Sequence, residues 1–549
     1  MKRLVGAVAV AAIVGFAVLV GSMVLRAGHT PTAALGPPAY TERAASAGLV
    51  HTYEGDIRFF TGGGVAVLDC DDDERPELFI AGGERPAALF HNESAATKGA
   101  VAFAALPDPL TDRSGVTGAY PIDVDGDGHV DLAILSIDGA TLLRGLGDCR
   151  FEAADAAWGF DGGGGWATAF SATWEGDAPL PTLAIGRYQT LDADGRPTFQ
   201  CDDNALVRPT AGGTTFAAPI PLSPGFCTLS MLFSDWDRSG RRDLRVSNDR
   251  QYYIGGQEQL WRVVAGEAPR PYTADDGWVS MQIWGMGIAS RDLTGDGLPE
   301  VYLTSQGDSK LQTLTAGPER PTYRDIALRL GVNAARPATG GDVLPSTAWH
   351  PEFADVNNDG FVDLFVSKGN VFAQEGYATR DPSDLFLGQP DGSFVQAAEA
   401  AGIVDFDRGR GAALVDLNLD GLLDLVKVNL GAPVDLWVNT GSPTAPGPDA
   451  PHWLAVRVAE PAPNRDAIGA WVEVRIGDLI QRRELTIGGG HLGGQLGGLH
   501  FGLGPSERAE IRVTWPDGEV GPWLGVTADG SYRVERGASD AVRLTGPGG

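Results

Sequence analysis

The chain has 549 residues, 76 of them glycine and 4 of them cysteine, and a formal net charge of −29. That charge argues against nucleic acid and anionic lipid surfaces as partners, because both would repel it. Glycine at about twice its usual ~7% share suits a turn-rich all-β protein, and the length allows a large domain plus a small one.

At the N-terminus, Met1-Lys2-Arg3 precedes an apolar run from Leu4 to Leu25 that ends at Arg26. The run is long enough to span a bilayer and exceeds a typical signal-peptide core. The expectation is a single-pass signal anchor over residues 1–26, followed by a linker over 27–38. A signal peptide cleaved near Thr32-Ala33-Ala34 is the alternative. Lys2 and Arg3 put the N-terminus inside and the rest outside, in the periplasm or the extracellular space. Cys70, Cys149, Cys201 and Cys227 fit that oxidising side. If the turns share a face, Cys70–Cys149 bridges two repeats and Cys201–Cys227 closes a local excursion; the sequence alone leaves three pairings open.

From residue 65 onward, oxygen side chains recur at positions 1, 3, 5 and 9 of six loops. These are Asp69, Asp71, Asp73 and Glu77; Asp123, Asp125, Asp127 and Asp131; Asp235, Asp237, Ser239 and Asp243; Asp292, Thr294, Asp296 and Glu300; Asp355, Asn357, Asp359 and Asp363; and Asp416, Asn418, Asp420 and Asp424. All-oxygen ligand sets without His or Cys specify a hard cation, and Ca²⁺ is the best match, with up to six sites. Position 6 is glycine in five loops (Gly128, Gly240, Gly297, Gly360, Gly421), as a left-handed turn around a cation requires; the first loop has Glu74, which makes it the doubtful site. An EF-hand is excluded because position 12 is Ile80, Ile134, Val246, Leu303, Val366 or Lys427 rather than a bidentate Glu. The flanks, such as Val65–Leu68 and Leu78–Ile80, read as strands, so each loop is expected to be a metal-stapled β-hairpin. A seventh copy at residues 169–185 has Pro181 at position 9 and reads as a metal-free blade. Six bound Ca²⁺, at two charges each, would bring the net charge from −29 to −17, so the metal should stabilise the fold.

An aromatic residue marks each repeat in phase with the loops: Tyr40, Phe103, Phe151, Phe216, Tyr272, Tyr323 and Phe394. The last repeat lacks an outer strand, and the strand at Tyr40 lacks a repeat. Pairing the two closes a seven-bladed β-propeller over residues 39–440 and removes the exposed sheet edges. A Pro/Gly-rich linker follows at 441–451.

The loops and their strands resemble the FG-GAP/VCBS repeats of integrin α-subunit propellers and of bacterial exported proteins. Residues 452–536 are similar to an ASPIC/UnbV domain through His452-Trp-Leu-Ala-Val-Arg457, Asn464-Arg-Asp-Ala-Ile-Gly-Ala470, His500-Phe-Gly-Leu-Gly504 and Ile511-Arg-Val-Thr-Trp-Pro-Asp-Gly518, with a tail at 537–549. Together they resemble the cartilage acidic protein family in a bacterial-type form, without the EGF-like cysteine module of vertebrate members. The stretch Gly488–Gly498 is unusually glycine-rich before His500.

No G-x-S-x-G, H-E-x-x-H or Walker loop is present, and the loops account for the paired carboxylates, so no catalytic residue is assigned. Residues just before the inner strands, Phe60, Tyr120, Trp166, Trp284 and Trp349 with Arg408 and Arg410, should gather at the mouth opposite the hairpins. There they would form a platform for a sugar or a partner loop; inter-blade packing is the plainer role. The expected function is a monomeric, Ca²⁺-binding, non-catalytic recognition or adhesion module for protein or glycan, tethered to the membrane by its N-terminal segment. The alternatives are an enzyme using the channel, on polysaccharide or in redox chemistry, and an assembly scaffold.

Overall fold

A computed structural model describes residues 30–31, 33–94, 99–249, 256–279, 281–442 and 450–544. Among them no helix is long and apolar enough to cross a membrane; the expected anchor at 1–26 lies outside the described residues.

Seven four-stranded antiparallel sheets follow one another along the chain. Their inner strands are Val65–Leu68, Val116–Ile122, Ala167–Thr173, Thr228–Ser234, Gly285–Arg291, Ala348–Ala354 and Gly409–Val415. Each inner strand packs against that of the next blade, and the seventh packs against the first, so the ring closes. Closure is made by the N-terminal strand Tyr40–Glu42, which pairs with Asp435–Asn439 as the outer strand of blade 7: Tyr40 opposes Asn439 and Glu42 opposes Trp437. The Tyr40 hydroxyl donates to Leu423 O at 2.9 Å, which fixes that seam. Most of the aromatic markers begin outer strands, as at Phe103–Ala105, Phe151–Ala153, Tyr323–Asp325 and Phe394–Gln396; Phe216 precedes its outer strand and Tyr272 follows its own.

Two disulfides hold the early blades. Cys70–Cys149 ties blade 1 to blade 2. Cys201–Cys227 anchors the extra hairpin of blade 3, whose strands are Gln189–Leu191 and Pro197–Cys201.

The C-terminal domain is a two-sheet sandwich. One sheet holds His452–Ala459, Leu499–Gly504, Gly530–Glu535 and Val542–Arg543; the other holds Trp471–Ile476, Leu479–Glu484, Arg508–Thr514 and Leu524–Thr527. Alternating residues such as Leu454, Val456, Val472, Val474 and Ile511 meet between the sheets. Two boundaries need correction. The domain runs past 536, because Val542–Arg543 pairs with Tyr532 and Arg533. Residues of the expected linker 27–38 are packed, with the Leu35 amide donating to Asp359 at 2.7 Å.

The glycine-rich stretch threads the propeller axis. Ile487, Gly488, Gly490, Gly493 and Gln495 bridge to Ala172, Leu232, Ile288, Ala119 and Val67, one residue from each inner strand of blades 1 to 5. At its tip the His491 amide donates to His350 Nδ1 at 3.0 Å, and His491 Nε2 donates to Thr61 O at 2.8 Å near the far mouth. Side chains have no room here: a Cβ on Gly64 or Gly118 would lie 1.7 or 2.0 Å from Leu492 O, and one on Gly493 would lie 2.0 Å from Val65 O. Leu492 and Ile487 join Tyr120 and Phe170 in a core continuous with that of the C-terminal domain.

Candidate metal centres under the C-terminal domain

Each acid loop is built from its first aspartate. The carboxylate accepts the amide at position 6: Gly128 on Asp123 at 3.0 Å, Gly297 on Asp292 at 3.0 Å, Gly360 on Asp355 at 2.7 Å and Gly421 on Asp416 at 2.7 Å. Glu74 makes the same turn in the first loop, its amide 3.1 Å from Asp69, at a φ of 71°. Left-handed backbone is strained for a residue with a side chain, so the turn survives the missing glycine at a local cost.

The position-9 carboxylates face inward and serve the blade. Asp131 accepts from the Val124 and Gly145 amides, both at 2.7 Å; Asp363 accepts from Val356 and Gly388, both at 2.8 Å; Asp424 accepts from Leu417 and Asn439 at 3.2 and 2.8 Å. In blade 4 Asp243 is more heavily engaged, by Trp236 Nε1, the Tyr272 hydroxyl, the Val263 amide and the Arg241 guanidinium. These residues were read as ligands; each also joins the loop to the third strand.

Protein cations reach several loops and grade their fit to a metal ion. Arg457 lies 3.0 Å from Asp69 and Arg75 pairs with Asp73 in loop 1; Arg144 bridges Asp125 and Asp127 at 2.8 and 2.7 Å; Arg241 reaches Asp237 at 3.3 Å; Arg482 lies 3.0 Å from Asp292. In the degenerate blade 3 loop Arg208 pairs with Glu175 at 2.6 Å and the Thr182 hydroxyl donates a hydrogen bond to the same carboxylate. The blade 6 loop stands apart. Asp355, Asn357, Asp359 and Asp363 are all at most 3% exposed, and none of the three carboxylates has a Lys or Arg at ion-pair distance among the described residues. Burial, then mutual repulsion, drives Asp355 and Asp363 well above the ordinary carboxylate range. Burial likewise pushes Asp131 and Glu77 up to about 8 and Asp123 and Asp416 up to about 7. A buried oxygen set with no ion pair, Arg291 acting on Asp355 only from a distance, fits a hard divalent cation.

The C-terminal domain covers this face. Arg465 donates to Gly126 O at 2.6 Å in loop 2, and Arg242 of blade 4 donates to Gly469 O at 3.2 Å. The Arg238 guanidinium sits 4.0 Å from the centre of the Trp471 ring. His500 Nε2 donates to Asn358 Oδ1 at 2.6 Å, and a Cβ on Gly502 would come within 1.9 Å of Asp355 Oδ2. Thus the Asn464–Ala470 and His500–Gly504 signatures, legible in sequence only as markers, are surfaces that dock on the loops. The ion pairs of Arg457 and Arg482 with the loops are not legible in the sequence, where the alternation of charge with apolar residues in their strands is the available signal; the glycine-rich stretch is legible, but its place in the axis is not.

The aromatic platform is corrected by burial. Trp166, Trp349 and Arg410 are completely inaccessible. Trp166 packs edge-on against Phe60 and Tyr188, and Trp349 donates to Gly369 O at 2.7 Å beneath Arg410, whose guanidinium lies 4.0 Å from the ring centre. Trp284 and Arg408 are partly exposed; Trp284 packs on Tyr377, and Arg408 donates to Phe372 O at 2.6 Å. The mouth is sealed because the plug tip rises to meet it. Exposed apolar side chains on this face come from loops instead: Val50, Ile57, Val279, Val343, Leu344 and Phe372.

Comparison with known proteins agrees with the architecture. Residues 69–134 match the model of the FG-GAP-like repeat, and residues 460–541 match that of the ASPIC and UnbV domain. Cartilage acidic protein 1 of Mus musculus is 30% identical over 168 residues, and that of Homo sapiens 28% identical over 168. In both cases the match spans 28% of this chain and 22% of the relative. Among solved structures, an Agrocybe aegerita lectin described as recognising terminal N-acetylglucosamine aligns over 67% of this chain and 74% of its own, at 15% identity and a TM-score of 0.30. The BBS1N chain of a complex with ARL6DN aligns over 74% and 98%, at 10% identity and a TM-score of 0.39. At such scores these two likenesses carry no argument. The chain is one that joins FG-GAP-like repeats to an ASPIC and UnbV domain, similar in part to cartilage acidic protein 1.

Proposed function

We propose that this chain is an extracytoplasmic, Ca²⁺-stabilised recognition module without catalytic activity, engaging a protein or glycan through the loops of the far face. The observation that carries the reading is the threaded axis. The channel, where a propeller would hold a substrate or redox cofactor, is narrowed by Ile487–Gln495 of the same chain, which line blades 1 to 5, and the hairpin face lies under the C-terminal domain. The surface proposed for a partner is the far face, whose loops expose Val50, Ile57, Val343 and Phe372. Where bound, Ca²⁺ would supply positive charge to the buried carboxylates, foremost Asp355, Asp359 and Asp363. The chain's own residues hold the hairpins and docked domain in place.

The test is capture from envelope and matrix extracts and on a glycan array, in calcium and in chelator. The comparison is between the wild-type protein and a variant carrying Ile57→Ser, Val343→Ser and Phe372→Ser. A ligand retained by the wild type and lost by the folded variant supports the reading. Retention by both would move recognition away from the far face.

A further inference from the structure

The plug is asymmetric. Its bridges run to the inner strands of blades 1 to 5, and among the described residues none runs to blades 6 or 7. A cavity of about 240 Å³ lies on that open side, walled by Arg291, His350, Glu352, Leu414, Arg483 and Gln495. Gly497 and Gly498 at its edge are exposed, which gives a small solute a way in.

The polar groups of this wall do not balance. Arg291 is 3% exposed, and its Nε and Nη1 have no acceptor among the described residues; Nη2 reaches Gln481 Oε1 only at 3.4 Å, and the guanidinium lies 5.4 Å from the centre of the Phe501 ring. The Arg483 guanidinium makes no hydrogen bond or ion pair to a described residue; its charge acts unfavourably on Arg291, Asp355 and Asp292 act favourably on Arg291 from beyond ion-pair distance, and Glu352 does the same for Arg483. The carboxylates nearby are already engaged. Glu352 accepts from the Leu414 amide at 3.0 Å and from Gln495 at 2.8 Å; Glu484 accepts from the Ser234 hydroxyl and the Asp235 amide at 2.6 and 2.8 Å; Asp69 is held by Arg457. Two guanidiniums at one cavity, Arg291 with buried open N–H donors and Arg483 partly exposed, form an acceptor-seeking site, since an unpartnered buried donor such as those of Arg291 costs about 1–3 kcal/mol and guanidinium forks match planar or tetrahedral oxyanions.

We propose that this cavity binds one small oxyanion, an organic carboxylate or an inorganic oxyanion, between Arg291 and Arg483. Bound there, the anion touches the propeller and the C-terminal domain at once and reinforces their docking. This holds whether or not the far face recognises a partner.

Calorimetric titration and thermal unfolding with phosphate, sulfate and acetate, each at fixed free calcium and against chloride, test it. The expected result is saturable 1:1 binding of at least one of these, with Arg483→Gln weakening it at least tenfold. In chloride alone Arg483→Gln should unfold at a temperature no lower than the wild type, because it removes a charge that has no ion pair and repels Arg291. The relative response to phosphate or sulfate against acetate separates the inorganic from the carboxylate source. No saturable binding, equal binding by Arg483→Gln, or a lower unfolding temperature of that variant in chloride would each overturn the proposal.

Discussion

His491 shows what the channel demands of one side chain. Its pKa is pushed down to about 3, by burial first and then by the positive charge of Arg410 and the neighbouring His350; Glu352 lies beyond, 3.5 Å from His350. The unfolded chain takes up this proton near pH 6.5 and the folded one does not. The contribution of His491 to stability is therefore intact above pH 6.5 and falls as the pH drops from there towards 3, by up to about 1.4 kcal/mol per pH unit. Denaturant midpoints of wild type and His491→Gln between pH 7 and 4 should diverge, with the wild type losing more on acidification; parallel curves would refute it. A second residue-scale case is Asp363, which holds two buried amides besides any metal. Asp363→Ala should cost about 2–5 kcal/mol in calcium and in chelator alike. A loss confined to calcium would reduce this carboxylate to a ligand only.

At the scale of elements, the plug and the hairpin loops were not equally visible. The loops carry spacing, composition and glycine at fixed positions, so strand and turn could be read from the chain directly. Gly488–Gly498 carries only an absence of side chains, which states that space is short without saying what takes it. The contacts give the answer, since Gly493 meets the inner strand at Val65 and Leu492 meets Gly64 and Gly118. Gly118→Val should push the plug out of the axis. Limited proteolysis should then cleave within 485–498 while the blades stay resistant, at a cost of about 3 kcal/mol or more. A protected plug in that folded variant would mean that the segment can repack. The aromatic platform failed for a related reason: spacing put Trp166, Trp349 and Arg410 at one mouth, but not how close the walls and the plug tip would come.

For the whole molecule, the acid loops, the docked domain and the plug form one body, with a core running from blades 2 and 3 into the sandwich. Calcium should act on all of it. Chelation should lower the unfolding temperature, each site contributing about 2.7 kcal/mol when the free ion exceeds its Kd a hundredfold. Asp355→Asn should remove the largest single share, because the blade 6 loop has no protein cation to replace the ion. A calorimetric scan unchanged by chelator would end the calcium reading, and an equal effect from Asp237→Asn in the arginine-filled blade 4 loop would end the ranking.

The sequence by itself determined the repeat, the number of blades, the closing strand and the hairpin turns of the acid loops, because those depend on local spacing and on which side chains stand at it. Only the tertiary structure decided that the second domain covers the hairpin face and threads the axis, that arginines from other elements enter the acid loops, and that the far mouth is shut. Each of these is a contact between segments as far apart as Asp69 and Arg457 or Thr61 and His491. Such pairs leave no periodicity in the chain, and only the closeness of packed surfaces selects them.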